Sequence, residues 1–61
     1  MKYTFELHDV LELTEDDGVT WNRYAKLIRP TEAAQAVRMV HDTEGLVDRY
    51  RITRKGKIVL E

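Results

Sequence analysis

The amino-acid sequence predicts one small α+β domain over residues 1–61, mostly helical, with a β-hairpin at its C-terminal end. Apolar residues at helical spacing predict the helices, and alternating residues around a glycine predict the hairpin. The chain has 61 residues and no cysteine, so its core has no disulfide to support it. A domain of about 60 residues buries only about 60% of its unfolded surface, which makes it marginally stable alone.

The segment 31–43 is the clearest predicted helix, because its apolar residues recur at helical spacing and most of the others favour helix. The apolar set is Ala33, Ala36, Val37 and Val40. Pro30 suits the start of a helix, and Thr31 is the predicted N-cap residue. Gly45 is well placed to end the helix in a left-handed conformation.

The C-terminal segment predicts two strands, 46–53 and 57–61, joined by residues 54–56. Gly56 supplies the positive φ that a short hairpin loop requires. Strand alternation then separates an apolar face from a largely basic one. The first face contains Leu46, Tyr50, Ile52, Ile58 and Leu60, and the second contains Arg49, Arg51, Thr53, Lys57 and Val59.

The first half of the chain admits two interpretations. In one, Trp21, Tyr24, Ala25 and Ile28 form a helical stripe, and residues 4–14 form a further helix. In the other, residues 3–13 and 19–28 are two strands joined by a turn at residues 15–18. The first interpretation gives three helices followed by a hairpin, and the second gives a ββαββ domain.

Charge is distributed unevenly along the chain, although the net charge is only −1. Residues 1–18 carry a net charge of −5, and residues 19–61 carry +4. Half of the basic residues lie within the segment 49–57. This asymmetry is typical of a surface that binds polyanions beside a solvated acidic surface, and it fits two ordinary solvated surfaces equally well.

Under the three-helix interpretation, the order of the segments resembles that of a known family of domains. Residues 10–21 look like the end of a first helix and a small strand, residues 21–28 like a second helix, and residues 31–44 like a recognition helix. The Gly-Leu-Val of residues 45–47 precedes a basic hairpin whose tip is residues 53–57. In this order, residues 7–61 resemble the winged helix-turn-helix domains of MarR-like and IclR-like transcriptional regulators.

The resemblance implies binding of double-stranded DNA by a small prokaryotic or phage transcriptional regulator. Its third helix would enter the major groove, with Thr31, Gln35 and Arg38 towards bases and phosphates. The wing would contribute phosphate contacts from Arg49, Arg51, Arg54, Lys55 and Lys57. Further phosphate contacts could come from Arg23, Lys26 and Arg29. A homodimer is expected, because one domain of this size offers little contact area on DNA.

A second class of function stays open beside DNA binding. The acidic N-terminal segment would be the recognition surface of a small protein-binding module or phage-type inhibitor with a basic partner. An enzyme is not expected, since the two histidines are isolated and the chain has no serine or glycine-rich phosphate loop. The sequence likewise predicts no metal, cofactor or membrane segment, and a cytoplasmic location.

Overall fold

The chain folds as a two-layer ββαββ domain in the computed structural model, which describes residues 3–41 and 48–61. The elements are β1 (Asp9–Thr14), β2 (Asn22–Leu27), α1 (Pro30–His41), β3 (Arg49–Arg54) and β4 (Lys57–Leu60). The four strands form one antiparallel sheet in the order β2-β1-β3-β4. The ββαββ alternative is therefore confirmed, and the prediction of a mostly helical, three-helix winged domain is wrong.

The predicted second helix over residues 21–28 is instead strand β2. Leu11 and Glu12 of β1 pair with Ala25 and Arg23 of β2, so Tyr24 is the extra residue of a β-bulge. Tyr24 and Ala25 both line the groove between β2 and α1. The bulge breaks the alternation of a regular strand, and the resulting spacing of large residues resembles that of a helix.

The turn between β1 and β2 is stabilised by side-chain hydrogen bonds. The hydroxyl of Thr14 donates to Oδ1 of Asp16 at 2.7 Å and accepts from the Gly18 N–H at 2.9 Å. Oδ1 of Asp16 also accepts from the Thr20 N–H at 2.7 Å. Asp17 and Gly18 have φ values of 61° and 90°, which Asp and Gly tolerate better than most residues. The turn predicted at residues 15–18 is confirmed.

Helix α1 begins one residue earlier than predicted. The Arg29 carbonyl accepts from the N–H groups of Glu32 and Ala33, so Arg29 and not Thr31 occupies the N-cap position. The Glu32 carboxylate accepts from the N–H groups of Ile28 and Arg29 at 3.0 and 3.1 Å. The predicted end of the helix and the Gly-Leu-Val segment lie outside the described residues.

The C-terminal hairpin is confirmed, with a two-residue turn. Lys55 and Gly56 have φ values of 52° and 81°, as a type I′ turn requires. The register shifts between Ile52 and Thr53, which places Ile58 beside Thr53. Ile58 therefore lies on the opposite face from the one predicted, and it is exposed. Lys57 pairs with Arg54, so it too lies on the opposite face from the one predicted with Arg49 and Arg51.

The core lies between α1 and one face of the sheet. It consists of Leu11, Leu27, Ala33, Ala36, Val40, Ile52 and Leu60. The small alanines of α1 let the helix approach the sheet closely. The other face, which no described helix covers, is called the open face below. No helix in the described part of the chain is long and apolar enough to span a membrane.

Candidate nucleic-acid interface

The open face carries basic residues on two of its strands, β2 and β3. Arg23 of β2, Glu12 of β1 and Arg51 of β3 lie side by side across the sheet. In the next row, Lys26 of β2 lies beside Val10 of β1. Arg23 and Lys26 are exposed, so the β2 side of this face is positively charged.

Arg51 is held in place by two neighbours on the open face. Its Nε donates to Oε1 of Glu12 at 2.7 Å, and its guanidinium lies 4.1 Å from the centroid of the Trp21 ring. The Arg51 side chain is only 21% exposed. Arg51 is thus partly neutralised and packed between a carboxylate and an aromatic ring.

Arg49 lies at the other end of β3 from the hairpin tip and is exposed. Its guanidinium approaches Gly18 so closely that a Cβ on that residue would lie 2.6 Å from Nη2. The same group lies 5.9 Å from the centroid of the Trp21 ring. The β1–β2 turn therefore positions Arg49 without neutralising it.

Arg54 projects towards the helix layer and not onto the open face. Its Nε and Nη2 donate to the two carboxylate oxygens of Asp9 at 2.8 and 3.0 Å, and Nη2 also donates to the Thr4 carbonyl at 2.8 Å. Asp9 is completely buried and also accepts from the Tyr3 hydroxyl and the Glu6 N–H. This arrangement ties the N-terminal segment to β3.

The pKa of Asp9 reflects two opposing effects. Burial alone raises the pKa of this carboxyl, whereas the hydrogen bonds from Arg54, Tyr3 and the Glu6 N–H lower it, and the net shift is downward. The hydrogen bond to Asp9 raises the pKa of Arg54. Asp9 is therefore ionised and Arg54 charged at neutral pH, and both charges are used within the fold.

The remaining predicted site residues separate into two groups. Lys55 and Lys57 are exposed at the tip of the β3–β4 hairpin. Thr31, Gln35 and Arg38 are exposed on α1, in the layer on the other side of the sheet from Arg49 and Arg51. The structure does not bring the α1 group together with the basic residues of the sheet.

The carboxylates of the acidic N-terminal segment are largely used within the fold. Glu12 pairs with Arg51, and both Asp9 and Glu6 pair with Arg54. Hydrogen bonds from Thr20 and Thr14 lower the pKa of Asp16 to about 2. In the described residues, no three His, Asp or Glu side chains are grouped in a way that would hold a metal ion.

No family model, curated protein or solved structure matches this chain. The candidate site therefore depends on the geometry of its own residues.

Sequence reasoning missed the roles of Trp21 and Asp9. One interpretation of the sequence places Trp21 in the apolar stripe of a helix, but it lies against Arg51 and near Arg49. Asp9 looks in the sequence like one more charge of the acidic N-terminal segment, although it is a buried partner of Arg54. In both cases the partner lies far along the chain, and no local pattern identifies it.

Proposed function

We propose that this protein binds double-stranded DNA through phosphate contacts from the open face and the hairpin tip. The contacting residues form a group that we call the cationic rim: Arg23, Lys26, Arg49, Lys55 and Lys57. All five are exposed, and none forms an ion pair with another residue that the structure describes. That observation carries the proposal, because unpaired exposed cations are the groups that release counterions from DNA.

The proposal differs from the sequence prediction in the element that contacts DNA. Arg51 and Arg54, two of the predicted phosphate contacts, are held by Glu12 and Asp9. The α1 residues lie on the other side of the sheet from Arg23, Lys26 and Arg49, so a duplex bound on the open face does not reach them. β-Strands enter the grooves of DNA in several known classes of binding protein.

Sequence-specific regulation of transcription and homodimer formation stay predictions. Phosphate contacts position a protein on DNA without reading its sequence. A homodimer would double the number of rim cations on one duplex and raise the affinity. Light scattering with and without DNA measures the oligomeric state directly.

The alternative of an acidic recognition surface has less support. Three carboxylates of the segment are paired within the fold, namely Glu6, Asp9 and Glu12. Three exposed residues remain at the β1–β2 turn, Glu15, Asp16 and Asp17, and Asp16 already accepts hydrogen bonds from Thr14 and Thr20. Few carboxylates of this segment are therefore left to form ion pairs with a basic partner.

The salt dependence of binding tests the proposal. Fluorescence anisotropy with a labelled random duplex should give a dissociation constant of about 10⁻⁴ to 10⁻⁶ M near physiological salt. Each phosphate contact contributes about −0.9 to the slope of log affinity against log salt, so four or five contacts predict a slope near −4.

Matched variants distinguish DNA binding through the cationic rim from DNA binding through α1. The double variant Lys55→Gln/Lys57→Gln should reduce the steepness of the slope by about 2, since it removes two phosphate contacts. Arg38→Gln removes one exposed cation from α1 and should leave both slope and affinity unchanged. Binding that ignores salt, or an effect of Arg38→Gln as large as that of the rim variants, contradicts the proposal.

A further inference from the structure

Strand β2 is an edge strand with an open groove beside it. It pairs only with β1, so the backbone groups along its other side have no strand partner among the described residues. A groove of about 320 Å³ runs between β2 and α1. An unpaired strand edge beside a groove is the geometry in which proteins accept an extended peptide as an additional strand.

The base of the groove favours apolar side chains, although three polar residues also line it: Lys26, Glu32 and Gln35. Leu11, Leu27 and Ala36 are buried core residues that form its base. Met39 of α1 lines it, as does Tyr24, which is 54% exposed. A side chain pointing from an added strand towards α1 would cover this apolar surface and exclude water from it.

The opposite side of the same strand edge is basic. Arg23 and Lys26 lie on the open face, are exposed, and form no ion pair among the described residues, although Glu12 lies beside Arg23 on β1. Because side chains alternate along a strand, every second residue of an added strand would lie next to these cations. Opposite charges on neighbouring strands stabilise a sheet, whereas like charges destabilise it.

A second copy of this chain is a poor partner for the edge. In the symmetric antiparallel register that pairs Tyr24 with Ala25, each Arg23 would lie opposite the other copy's Lys26. This like-charge contact and the bulge at Tyr24 are features that natural edge strands use against self-association. The same two cations attract an acidic segment.

We propose that the β2 edge binds an extended acidic segment of a partner protein as a fifth strand. Alternate residues of this segment are apolar and enter the groove against α1, and the residues between them are Asp or Glu and lie beside Arg23 and Lys26. The backbone of the segment pairs with that of β2. This inference goes beyond DNA binding, although the two ligands would compete for Arg23 and Lys26.

The test uses the ¹⁵N-labelled full chain and a blocked heptapeptide of alternating Leu and Glu. We expect saturable chemical-shift changes in residues 22–27 and at Gln35 and Met39. The matched peptide of alternating Leu and Lys should bind at least about tenfold more weakly, because its charges repel those of β2. Equal binding of the two peptides, shift changes confined to β4, or no saturable change overturns the proposal.

Variants distinguish peptide binding in the groove from DNA binding by the cationic rim. Gln35→Trp places a large side chain at the groove and should weaken binding of the Leu–Glu peptide at least about tenfold, while DNA affinity stays the same. Arg38→Trp is the control on the same helix, outside the groove, and should preserve peptide binding. Arg23→Glu/Lys26→Glu should reverse the preference between the two peptides, and failure of that reversal also counts against the proposal.

Discussion

Arg54 forms a bidentate ion pair with Asp9. Asp9 lies 45 positions earlier in the chain and is completely buried. A bidentate arginine–carboxylate pair is stronger than a single hydrogen bond, and it also fixes the relative orientation of the two side chains. The pair fixes the N-terminal segment against β3, since the same guanidinium also reaches the Thr4 carbonyl and Glu6.

We predict that Asp9→Asn lowers the free energy of unfolding by about 3–5 kcal/mol, because it leaves the Arg54 charge without its buried partner. Glu6→Gln is the matched control. The Glu6 side chain is 63% exposed, and its loss should cost less than about 1 kcal/mol. Urea denaturation followed by circular dichroism measures both, and similar costs for the two variants would show that the buried pair is unimportant.

Stability should fall in acid. The pKa values of Asp9 and Asp16 lie below the ordinary value of 3.8, and that of Asp16 is about 2. Carboxyls with a lowered folded pKa contribute stability that is complete above their unfolded pKa and is lost as pH falls through the folded value. Urea midpoints measured from pH 5 down to about 2 should therefore decrease. Asp16→Asn should flatten part of that decrease, and an unchanged profile would contradict its assigned hydrogen bonds.

Stability should also fall in strong base. Burial and the hydrogen bond to Asp9 raise the pKa of Tyr3 above its ordinary value of 10.0. A group with a raised folded pKa contributes stability below its unfolded pKa and loses it as pH rises through the folded value. The loss should begin above about pH 10 and be smaller in Tyr3→Phe. Tyrosinate absorbance follows the titration, and early ionisation of Tyr3 in the folded protein would disprove the contact.

We predict that Lys55→Asn stabilises the hairpin by about 1 kcal/mol. Lys55 has a φ of 52°, a left-handed conformation that costs most L-residues about 1–2 kcal/mol. Asn followed by Gly is the preferred pair for a type I′ turn. The same change removes a rim cation, so thermal denaturation should show higher stability while DNA anisotropy shows weaker binding. A decrease in both thermal stability and DNA affinity would mean that the Lys55 side chain supports the fold.

Trp21 should contribute to stability through Arg51. A cation over an aromatic face contributes about 0.5–2 kcal/mol, depending on how far it is desolvated. Trp21→Leu is therefore expected to cost at least about 1 kcal/mol in urea denaturation. Val19→Ala, at a residue that is 82% exposed, is the control and should change stability by less than about 0.5 kcal/mol. A cost for Trp21→Leu no larger than this control would contradict the stacking.

The sequence predicts correctly those elements that depend only on residues close together in the chain. The spacing of Ala33, Ala36 and Val40 identified α1, and Gly56 identified the β3–β4 turn. In β2, by contrast, the bulge at Tyr24 replaces the two-residue period with a spacing that fits a helix. A bulge depends on pairing with another strand, so the segment alone did not distinguish strand from helix.

The candidate site was predictable only in part for a similar reason. The basic hairpin was visible in the sequence, and Arg49, Lys55 and Lys57 are indeed exposed. Which arginines are available depends on distant carboxylates. Arg51 pairs with a residue 39 positions away, and Arg54 with one 45 positions away. No spacing rule along the chain reveals such partners.

The pairing of β1 with β3 has a consequence for how quickly the protein folds. These two central strands lie on either side of β2 and α1 in the sequence, and their pairing joins Val10 to Thr53. The entropy of closing this long loop must be overcome before the central contacts form, so mixed domains of this kind fold more slowly than helical bundles, in which most contacts are local. The β1–β2 and β3–β4 hairpins can form early, but the sheet becomes continuous only when they meet.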